Sequence, residues 1–387
     1  MNQSSAAAEA LPDRIGGKRI LVTGACGTVG KALIRQLLDR TESAPSQVIG
    51  IDNAESPLFF LEQDWLSDPR ASFRLADIRD RDAMVEVMQG IDVVFHTAAL
   101  KHVILCERAP YEAVQTNIAG VNNVIYAAKV TNPELVLFTS SDKAVNPTNV
   151  MGTSKLMGER LMTAANASDR DCRTIFASTR FGNVLGSNGS VIPIFRRQIV
   201  AGGPVTLTDP DMTRFVMSIE EAVELVIRSC AFARGGEVFI TKMPVIRIED
   251  LAKVMIEELS LAYARKASDI GIEVIGSKPG EKLYEELMSD EETRRAVELE
   301  EFFSVLPAFR GIYGDIDYTY PGLLNDTVTN PYVSADETPL GHEELKRFLH
   351  RNGLLHESTD SDEQAPGASQ SIRYWPGDKE TMASRKD

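Results

Sequence analysis

The sequence predicts an α/β protein built on a doubly wound parallel sheet, with a smaller, discontinuous second α/β domain. The first observation is an apolar strand at residues 19–25, which runs through a glycine-rich turn into a helical pattern at 31–40. The second is the alternation of further short apolar strands with helical segments, which is typical of a parallel sheet with helices on both faces. Together they indicate a Rossmann-type architecture.

The remaining elements follow the same alternation. Strands are predicted at 47–52, 73–78, 92–98, 135–140 and 173–180, with helices at 82–88, 111–129 and 152–165 among them. Later helices are predicted at 191–201, 247–258 and 343–349, and later strands at 238–241 and 272–275. We expect the strand at 238–241 to return to the first sheet, because this return is what makes the second domain discontinuous.

The predicted domain boundaries divide the chain into four regions. We expect a disordered amino-terminal tail at 1–16, a dinucleotide-binding domain at 17–184 and 236–262, a second, substrate-binding domain at 185–235 and 263–352, and a disordered carboxyl-terminal tail at 353–387. The last region is polar and rich in Ser, Asp and Glu, a composition that cannot bury enough apolar surface to fold.

Composition limits the function. The chain has 387 residues, 43% hydrophobic and 25% charged, with a net charge of −15. Nucleic acid is not an expected partner, because phosphate backbones are bound by clustered Lys and Arg. The four cysteines lack the spacing of metal ligands, so no metal site is expected. Without a secretory or membrane-spanning segment, the prediction is a cytoplasmic protein that is not inserted in a membrane.

The glycine-rich turn predicts a dinucleotide site. It reads Gly24-Ala-Cys-Gly-Thr-Val-Gly30, and its glycines allow the backbone to turn sharply and approach a pyrophosphate at the helix amino terminus. The residues of this turn expected to bind cofactor are Gly24, Cys26, Gly27, Thr28, Val29 and Gly30.

Three strand ends complete the predicted cofactor site. Asp52 ends the second strand, where a carboxylate accepts hydrogen bonds from ribose hydroxyls and repels a 2′-phosphate, so NAD is favoured and NADP stays the alternative. A turn-forming role is the other reading of Asp52. Asp77 and Ile78 either meet the adenine edge or form a solvated turn. Ala98 and Ala99 leave room for the cofactor at the end of the fourth strand.

The end of the fifth strand carries the segment Ser141-Asp-Lys-Ala-Val-Asn-Pro-Thr-Asn, followed by a helix with Met151 and Lys155. The i,i+4 spacing places Met151 and Lys155 on one face of that helix. A dehydrogenase segment of this kind is expected to have a tyrosine at position 151. A thioether cannot donate a proton, so the usual acid/base route to an alcohol or ketone is closed.

With the glycine turn and Asn117 in the preceding helix, these residues resemble the extended short-chain dehydrogenase/reductases. Further segments look like those of the UDP-N-acetylglucosamine 4,6-dehydratases of the capsular and flagellin-sugar branch, and the resemblance covers about residues 18–350. They are the segment from Ser141 itself, Ala99-Leu-Lys-His-Val, Gly186-Ser-Asn-Gly-Ser-Val-Ile-Pro, Met212-Thr-Arg-Phe and Pro279-Gly-Glu-Lys-Leu-Tyr-Glu-Glu-Leu.

The resemblance implies roles for the catalytic residues. Hydride leaves C4 of the hexose, Lys143 takes the C5 proton, Asp142 protonates the departing C6 hydroxyl, and hydride returns to C6. Ser141 would hydrogen-bond the C4 oxygen, with Ser140 serving the backbone, and Lys155 would hold the nicotinamide ribose. Some members of the family carry Met at the tyrosine position, where Met151 would fill space. The C4 hydroxyl proton would then leave through Asp142, Lys155 or water.

This chemistry sets a condition on charge. The base must be neutral and the acid protonated, which is the reverse of an ordinary Asp–Lys ion pair at pH 7. Burial disfavours both charges, so we expect it to raise the pKa of Asp142 and to lower the pKa of Lys143.

The resemblance also implies a substrate-binding set. Lys101 is expected to face substrate or cofactor, Asn183 to lie near the diphosphate, Arg214 to bind phosphate and Glu281 to bind ribose hydroxyls, although Arg214 and Glu281 also suit an ordinary salt bridge. The other members are His102, which is as readily a packed histidine, Ser190 and Val191 at a helix amino terminus, and Lys278. Lys278 and Asn188 depart from the family pattern; a lysine loses the bidentate geometry of arginine.

The predicted function is therefore that of a 4,6-dehydratase acting on UDP-N-acetylglucosamine or a close relative. An NAD-dependent nucleotide-sugar epimerase is the enzymatic alternative, since the same scaffold oxidises C4. A cofactor-binding regulatory protein without turnover is an alternative of another class, suggested by Met151. The family resemblance also implies a homo-oligomer, a dimer or larger.

Overall fold

The computed structural model describes residues 11–167, 172–187, 190–276, 281–309 and 316–355. The strands are β1 Arg19–Thr23, β2 Gln47–Asp52, β3 Ala71–Leu75, β4 Val93–His96, β5 Leu135–Ser141, β6 Ile175–Phe181, β7 Asn183–Val184, β8 Val205–Leu207, β9 Thr213–Met217, β10 Val238–Thr241, β11 Val245–Arg247, β12 Ile272–Val274, β13 Glu286–Met288, β14 Ala296–Leu299, β15 Phe302–Val305, β16 Leu323–Asn325 and β17 Tyr332–Val333.

The helices are α1 Thr28–Asp39, α2 Glu55–Asp64, α3 Arg81–Val87, α4 Val103–Arg108, α5 Pro110–Ala113, α6 Val121–Thr131, α7 Val150–Ala165, α8 Val191–Ala201, α9 Ile219–Phe232, α10 Ile248–Ser260, α11 Asp290–Thr293 and α12 His342–Arg351. A π-helical segment, Val114–Gly120, joins α5 to α6, and short 3₁₀ turns occupy Asp142–Ala144, Leu261–Tyr263 and Ala267–Asp269.

Parallel pairing of the apolar strands builds the central sheet. Among the described residues its order is β16-β14-β15-β10-β6-β5-β4-β1-β2-β3. Seven neighbouring strands of this sheet, β10-β6-β5-β4-β1-β2-β3, all pair in parallel. Strand β15 pairs antiparallel with β10. The predicted α/β class and parallel sheet are confirmed, and β10 returns to the sheet as expected. Residues 296–305, predicted to belong to the second domain, instead extend this sheet through β14 and β15.

Helices cover both faces of the sheet because its strands are apolar on both sides. One face packs against α1 and α9, with Leu33, Leu37 and Val226 in the same buried cluster. The other packs against α3, α6 and α7 through residues such as Met84 and Val124. The carboxyl ends of β1, β4 and β5 consequently meet at one edge, beside the start of α7.

Smaller sheets flank that edge. Strands β11, β9 and β7 form one sheet, β12 pairs with β8, and β13 pairs with β17. Strand β13 packs against the Asp142–Ala144 turn that follows β5. The residues around Asp142 are thereby held between the central sheet and the later part of the chain.

The structure departs from the predicted elements in several places, among them the strand predicted at 73–78, which lies at Ala71–Leu75. The helix predicted at 111–129 is interrupted by the π-helical segment, which often marks a functional position. The predicted amino-terminal tail reaches too far, because Ile15 is buried in the core and Asp13 accepts hydrogen bonds from the next turn. Residues 1–10 and 356–387, the rest of the two predicted tails, lie outside the described residues.

A buried ionic triad joins three elements that are distant in sequence. Arg180 on β6 pairs with Glu159 on α7 at 2.6 Å and with Glu292 on α11 at 2.8 Å. Its guanidinium also donates to the Leu287 carbonyl at 3.0 Å. All three charged side chains are almost fully buried, and Arg180 is the nearest cation to both carboxylates, since Arg295 lies 3.7 Å from Glu292.

Replacing Arg180 by leucine is expected to lower the free energy of unfolding by about 3–5 kcal/mol, because two buried carboxylates lose their counter-ion. Urea denaturation measures this difference. The matched control is Arg228→Leu, which removes the exposed pair with Glu301 and is expected to cost less than about 1 kcal/mol. Equal losses in the two variants would contradict the role given to the triad.

Candidate active site

The glycine turn brings the end of β1 against the end of β4. Gly24 has φ +72°, and a Cβ there would lie 2.8 Å from the backbone of Ala98. The Gly27 N–H donates to the Gly24 carbonyl at 3.0 Å, and α1 begins at the next residue, Thr28, with no side chain capping it. The helix amino terminus therefore presents free N–H groups beside a closely packed backbone, as anion binding requires.

Asp52 is fixed beside this turn. One carboxylate oxygen accepts the Cys26 N–H at 3.0 Å and the other accepts the Ala54 N–H at 3.0 Å. Asp52 therefore has the predicted turn-forming role, and each of its oxygens keeps a lone pair for another donor.

Asp77 is bound by its own turn. Its carboxylate pairs with Arg79 at 2.6 Å and accepts from Asn53 at 3.3 Å. These hydrogen bonds to Arg79 hold the pKa of Asp77 below its usual range. The solvated-turn reading fits this arrangement, while the adjacent Ile78 is buried in the core.

His96, at the end of β4, was not among the predicted site residues. Its Nδ1 lies 2.7 Å from the Thr23 hydroxyl, which also accepts the Ala98 N–H at 3.2 Å. Its Nε2 is buried and has no hydrogen-bond partner among the described residues. Burial, together with Lys155, lowers the pKa of His96 to about 3, so the ring is neutral. The sequence signal was a polar residue ending an otherwise apolar strand.

Asp142 and Lys143 form an ion pair directly after β5. The Lys143 ammonium lies 2.9 Å and 3.2 Å from the two Asp142 carboxylate oxygens. Asp142 is 5% exposed and the Lys143 side chain 35%. Burial opposes the charge of Lys143, but the carboxylates of Asp142 and Glu285 outweigh it and raise the pKa of Lys143. The predicted lowering of this pKa is wrong for the resting state, because the second carboxylate was not foreseen.

Ser141, rather than Ser140, makes the hydrogen bond to the backbone. Ser141 Oγ accepts the Lys143 N–H at 3.1 Å and so caps the 3₁₀ turn. Ser140 was expected to serve the backbone, yet its buried hydroxyl has no hydrogen-bond partner among the described residues. The difference arises because Ser141, not Ser140, stands at the first position of the turn.

Helix α7 lies directly against the turn that carries Lys143. Asn149 caps α7 by accepting the Gly152 N–H at 2.8 Å. A Cβ on Gly152 would overlap the Lys143 carbonyl oxygen, so glycine permits this close approach. Met151 is 3% exposed and packs with Cys106 and Ala113, in agreement with a space-filling role.

Lys155 lies one turn beyond Met151 and is held on the sheet. Its ammonium donates to the Thr139 carbonyl at 2.9 Å and lies 4.6 Å from the centre of the Phe138 ring. Burial lowers the pKa of Lys155 to about 8, although Glu159 opposes the shift. A lysine so placed at the carboxyl edge of the sheet can hold a polar ligand group.

Asn117 links the π-helical segment to its neighbours. Its amide exchanges hydrogen bonds with the Leu100 backbone at 2.8 and 2.9 Å and donates to Ser154 at 2.9 Å. Asn117 therefore supports α7 directly and also fixes the segment before Lys101.

Glu285 is the main site residue that sequence reasoning missed. Its carboxylate accepts from Asn183 at 2.8 and 2.9 Å and from the Phe215 N–H at 3.2 Å. It lies 3.3 Å from the Arg214 guanidinium and 3.9 Å from the Lys143 ammonium. Glu285 stands in the segment that follows Pro279, from which only Glu281 was selected, because no spacing distinguishes the buried glutamate.

Glu285 connects Arg214 and Asn183 to the ion pair of Asp142 and Lys143. The Arg214 side chain is 12% exposed and also pairs with Glu281 at 3.7 Å. It donates to the Lys282 carbonyl at 2.9 Å. Arg214 and Glu281 therefore form the salt bridge that was the alternative prediction for them. The side-chain amide of Asn183 donates to Glu285.

The remaining predicted residues differ in their exposure to solvent. Lys101 and His102 are exposed, and His102 is the residue before α4. Ser190 precedes α8, its buried hydroxyl having no hydrogen-bond partner in the described chain, and Val191 begins that helix. Ala99 is half-buried next to Ala98. Lys278 and Asn188 lie outside the described residues.

Comparison with known families gives one match over most of the chain. The sequence model of the family described as "Polysaccharide biosynthesis protein" matches residues 20–307. This match confirms the family-level resemblance that the motifs predicted. Among the described residues, no helix has the length and apolar character needed to cross a membrane.

Three relatives show how names divide within this family. An "uncharacterized membrane protein" of Methanocaldococcus jannaschii is 47% identical over 86% of this chain and 95% of its own length. The capsular polysaccharide biosynthesis protein CapD of Staphylococcus aureus is 44% identical over 71% of this chain, which spans only 46% of that protein. A UDP-glucose 4-epimerase of Rickettsia bellii is 36% identical over 86% of this chain and 95% of its own length.

Solved structures share the fold. Pen from Bacillus thuringiensis is 39% identical, with a TM-score of 0.80 over 88% of this chain and 99% of its own. The dTDP-glucose 4,6-dehydratase DesIV from Streptomyces venezuelae, solved with NAD bound, is 22% identical, with a TM-score of 0.59 over 68% of this chain and 86% of its own. At that identity the likeness concerns the fold.

Alanine at Gly24 is expected to destabilise the protein more than alanine at Gly17. Both glycines have positive φ, +72° and +70°, so both substitutions introduce the same backbone strain. Only at Gly24 does the new Cβ meet the Ala98 backbone, since nothing lies within 4 Å at Gly17. The extra loss of unfolding free energy is expected to be about 1–3 kcal/mol by urea denaturation. Equal losses would mean that the two strand ends are not in close contact.

Proposed function

Because the chain belongs to the polysaccharide biosynthesis protein family, we propose that it is an NAD-dependent nucleotide-sugar 4,6-dehydratase, with UDP-N-acetylglucosamine or a close relative as substrate. The observation that carries the proposal is the pair at the end of β5, where the partly exposed ammonium of Lys143 lies 2.9 Å from the buried carboxylate of Asp142. An acid and a base so close can act on adjacent carbons of one substrate, as elimination of water across C5 and C6 requires.

The residues present fit a dinucleotide. The turn at Gly24 leaves no space for a Cβ, Asp52 keeps lone pairs beside it, and the His96 Nε2 is buried without a partner among the described residues. When bound, NAD would supply the acceptor for the hydride of C4 and the hydride donor for C6, while the C4 hydroxyl proton would leave through Asp142, Lys155 or water. Asp52 favours NAD over NADP, because a 2′-phosphate would meet its negative charge. Lys155 would hold the ribose next to the reacting carbon.

The protein residues then handle protons. Lys143, as a neutral amine, removes the C5 hydrogen, which the neighbouring 4-ketone has made acidic. Asp142, as a carboxylic acid, protonates the C6 hydroxyl as it departs. Ser141 would donate a hydrogen bond to the C4 oxygen, since its own oxygen already accepts the Lys143 N–H.

A nucleotide-sugar 4-epimerase is the second candidate, favoured by the similarity to the R. bellii UDP-glucose 4-epimerase. A 4-epimerase oxidises C4 and returns hydride there, and needs no base at C5. A lysine held between two carboxylates is therefore better explained by elimination. A regulatory protein without turnover, suggested by Met151, gives no reason to keep that lysine.

Lys143→Ala is expected to abolish hydrogen exchange at C5 of UDP-N-acetylglucosamine. In heavy water the unmodified protein should yield a 4-keto, 6-methyl product that has lost one water and carries deuterium at C5. Mass spectrometry and NMR measure both changes, and the variant should lose at least about 100-fold in rate, the range of general acid–base catalysis.

Lys242→Ala is the matched control, because Lys242 is also a partly exposed lysine paired with a carboxylate, at 2.6 Å. It should leave exchange unchanged. A product of unaltered mass with inverted C4 would establish the epimerase instead. Bound NAD without any change in the sugar would leave the regulatory function.

Met151→Tyr is expected to leave hydride transfer no faster and to lower the unfolding free energy by about 1–3 kcal/mol, because Met151 fills a closed apolar cluster with Cys106 and Ala113. Single-turnover absorbance of the reduced nicotinamide measures the rate, and Met151→Leu is the volume-conserving control. Faster hydride transfer in the tyrosine variant would mean that methionine limits proton removal at C4.

A further inference from the structure

Four charged side chains meet beside the proposed reaction centre. Lys143 lies 2.9 Å from Asp142 and 3.9 Å from Glu285, and Glu285 lies 3.3 Å from Arg214. The charges alternate along this chain of contacts and sum to zero when all four groups are ionised. Glu285, on the segment before β13, and Arg214, on β9, thereby connect the catalytic pair to the part of the chain expected to bind the diphosphate.

In this resting arrangement Lys143 cannot act as a base. Two carboxylates surround its ammonium, and their attraction keeps its proton in place. The proposed dehydration needs a neutral lysine, so one of the two negative charges must be removed before C5 can be deprotonated.

Glu285 is better suited than Asp142 to lose its charge. Its side chain is 7% exposed, and Arg214 is the arginine that balances it. Burial, with repulsion from Asp142, raises the pKa of Glu285 to about 7, although Arg214 and Lys143 oppose the shift. The other groups around its carboxylate are the neutral amide of Asn183 and the Phe215 N–H.

Arg214 is shared between acceptors. It pairs with Glu285 and Glu281 and donates to the Thr213, Lys282 and Leu283 carbonyls. A diphosphate is a stronger acceptor for a guanidinium than a single carboxylate, since it carries more charge and offers more oxygens. A diphosphate that binds Arg214 therefore weakens the interaction between Arg214 and Glu285, which keeps Glu285 ionised.

We propose that Glu285 controls the protonation state of Lys143, and that diphosphate binding at Arg214 switches Lys143 into its basic form. The inference deepens the proposed dehydratase function and rests on it. Glu285 acts through Lys143 and does not itself contact the reacting carbons, so it is a positioning residue.

The proton steps balance. When the diphosphate engages Arg214, Glu285 takes one proton from solvent, which removes a negative charge next to Lys143. Lys143 then passes one proton from its Nζ to an Asp142 oxygen across the 2.9 Å contact. An N–H bond is broken and an O–H bond is formed. The result is a neutral amine and a carboxylic acid, the two forms that elimination requires.

Proton uptake on UDP binding tests the switch without turnover. Isothermal titration calorimetry at pH 7 in buffers of different ionisation enthalpy counts the protons exchanged. The unmodified protein should take up a larger fraction of a proton than Glu285→Gln, which keeps the side-chain shape but cannot titrate. Glu298→Gln is the matched control, because Glu298 is also a glutamate paired with a lysine, Lys242 at 2.6 Å, but lies on β14 near the far edge of the central sheet, and its uptake should equal that of the unmodified protein.

The pH profile of C5 exchange separates this inference from the proposed function. In the unmodified protein C5 exchange should fall as the pH rises and Glu285 ionises, whereas the side chain of Glu285→Gln cannot ionise, so the alkaline limb of its profile should lie at higher pH by about one unit. Identical uptake and identical profiles in the two proteins would overturn the inference while the dehydratase function stands. UDP-linked uptake without C5 exchange in either protein would remove the dehydratase function but keep the coupling of Glu285 to Arg214. Failure to bind UDP would overturn both.

Discussion

The site depends on how the turn after β5 is clamped between α7 and β13. On one side Gly152 lets the first turn of α7 approach the Lys143 carbonyl without a side chain between them. On the other, Lys282 donates to the Val145 carbonyl at 3.2 Å and Glu286 accepts from Asn146 at 3.2 Å. Asp142 and Lys143 are therefore held between α7 and β13, and the segment at 281–288 belongs to the candidate site as much as the sheet edge does.

Two buried glutamates show that burial alone does not set charge. Burial disfavours ionisation of Glu292, but Arg180 at 2.8 Å lowers the pKa of Glu292 to about 2. Glu285 is as deeply buried, yet its arginine lies farther away, at 3.3 Å, and the like charge of Asp142 adds to the effect of burial. The first arrangement is fixed and structural. In the second arrangement the pKa of Glu285 is about 7, as expected of a group that takes up or releases a proton during function.

Local patterns predicted much of the fold and part of the site. The strand β2, the helix α8 and the strand β10 lie at their predicted positions because apolar runs and turn residues define them locally. The π-helical segment was not predicted, since it is only seven residues of i→i+5 hydrogen bonding within an otherwise helical pattern. Glu285 and the charge of Lys143 were missed for another reason: they arise from contacts between residues 142 positions apart in sequence, which only the folded chain brings together.

One face of α7 connects these two networks. Met151, Lys155 and Glu159 follow at i,i+4 spacing, so the face runs from an apolar cluster, through the lysine beside the sheet, to the buried triad. Glu159 raises the pKa of Lys155 against the effect of burial. Because Arg180 holds both oxygens of Glu159, at 2.6 and 2.7 Å, that influence is limited, and burial prevails. The triad that fastens α7 and α11 to the sheet thus also helps to keep the pKa of Lys155 near neutrality.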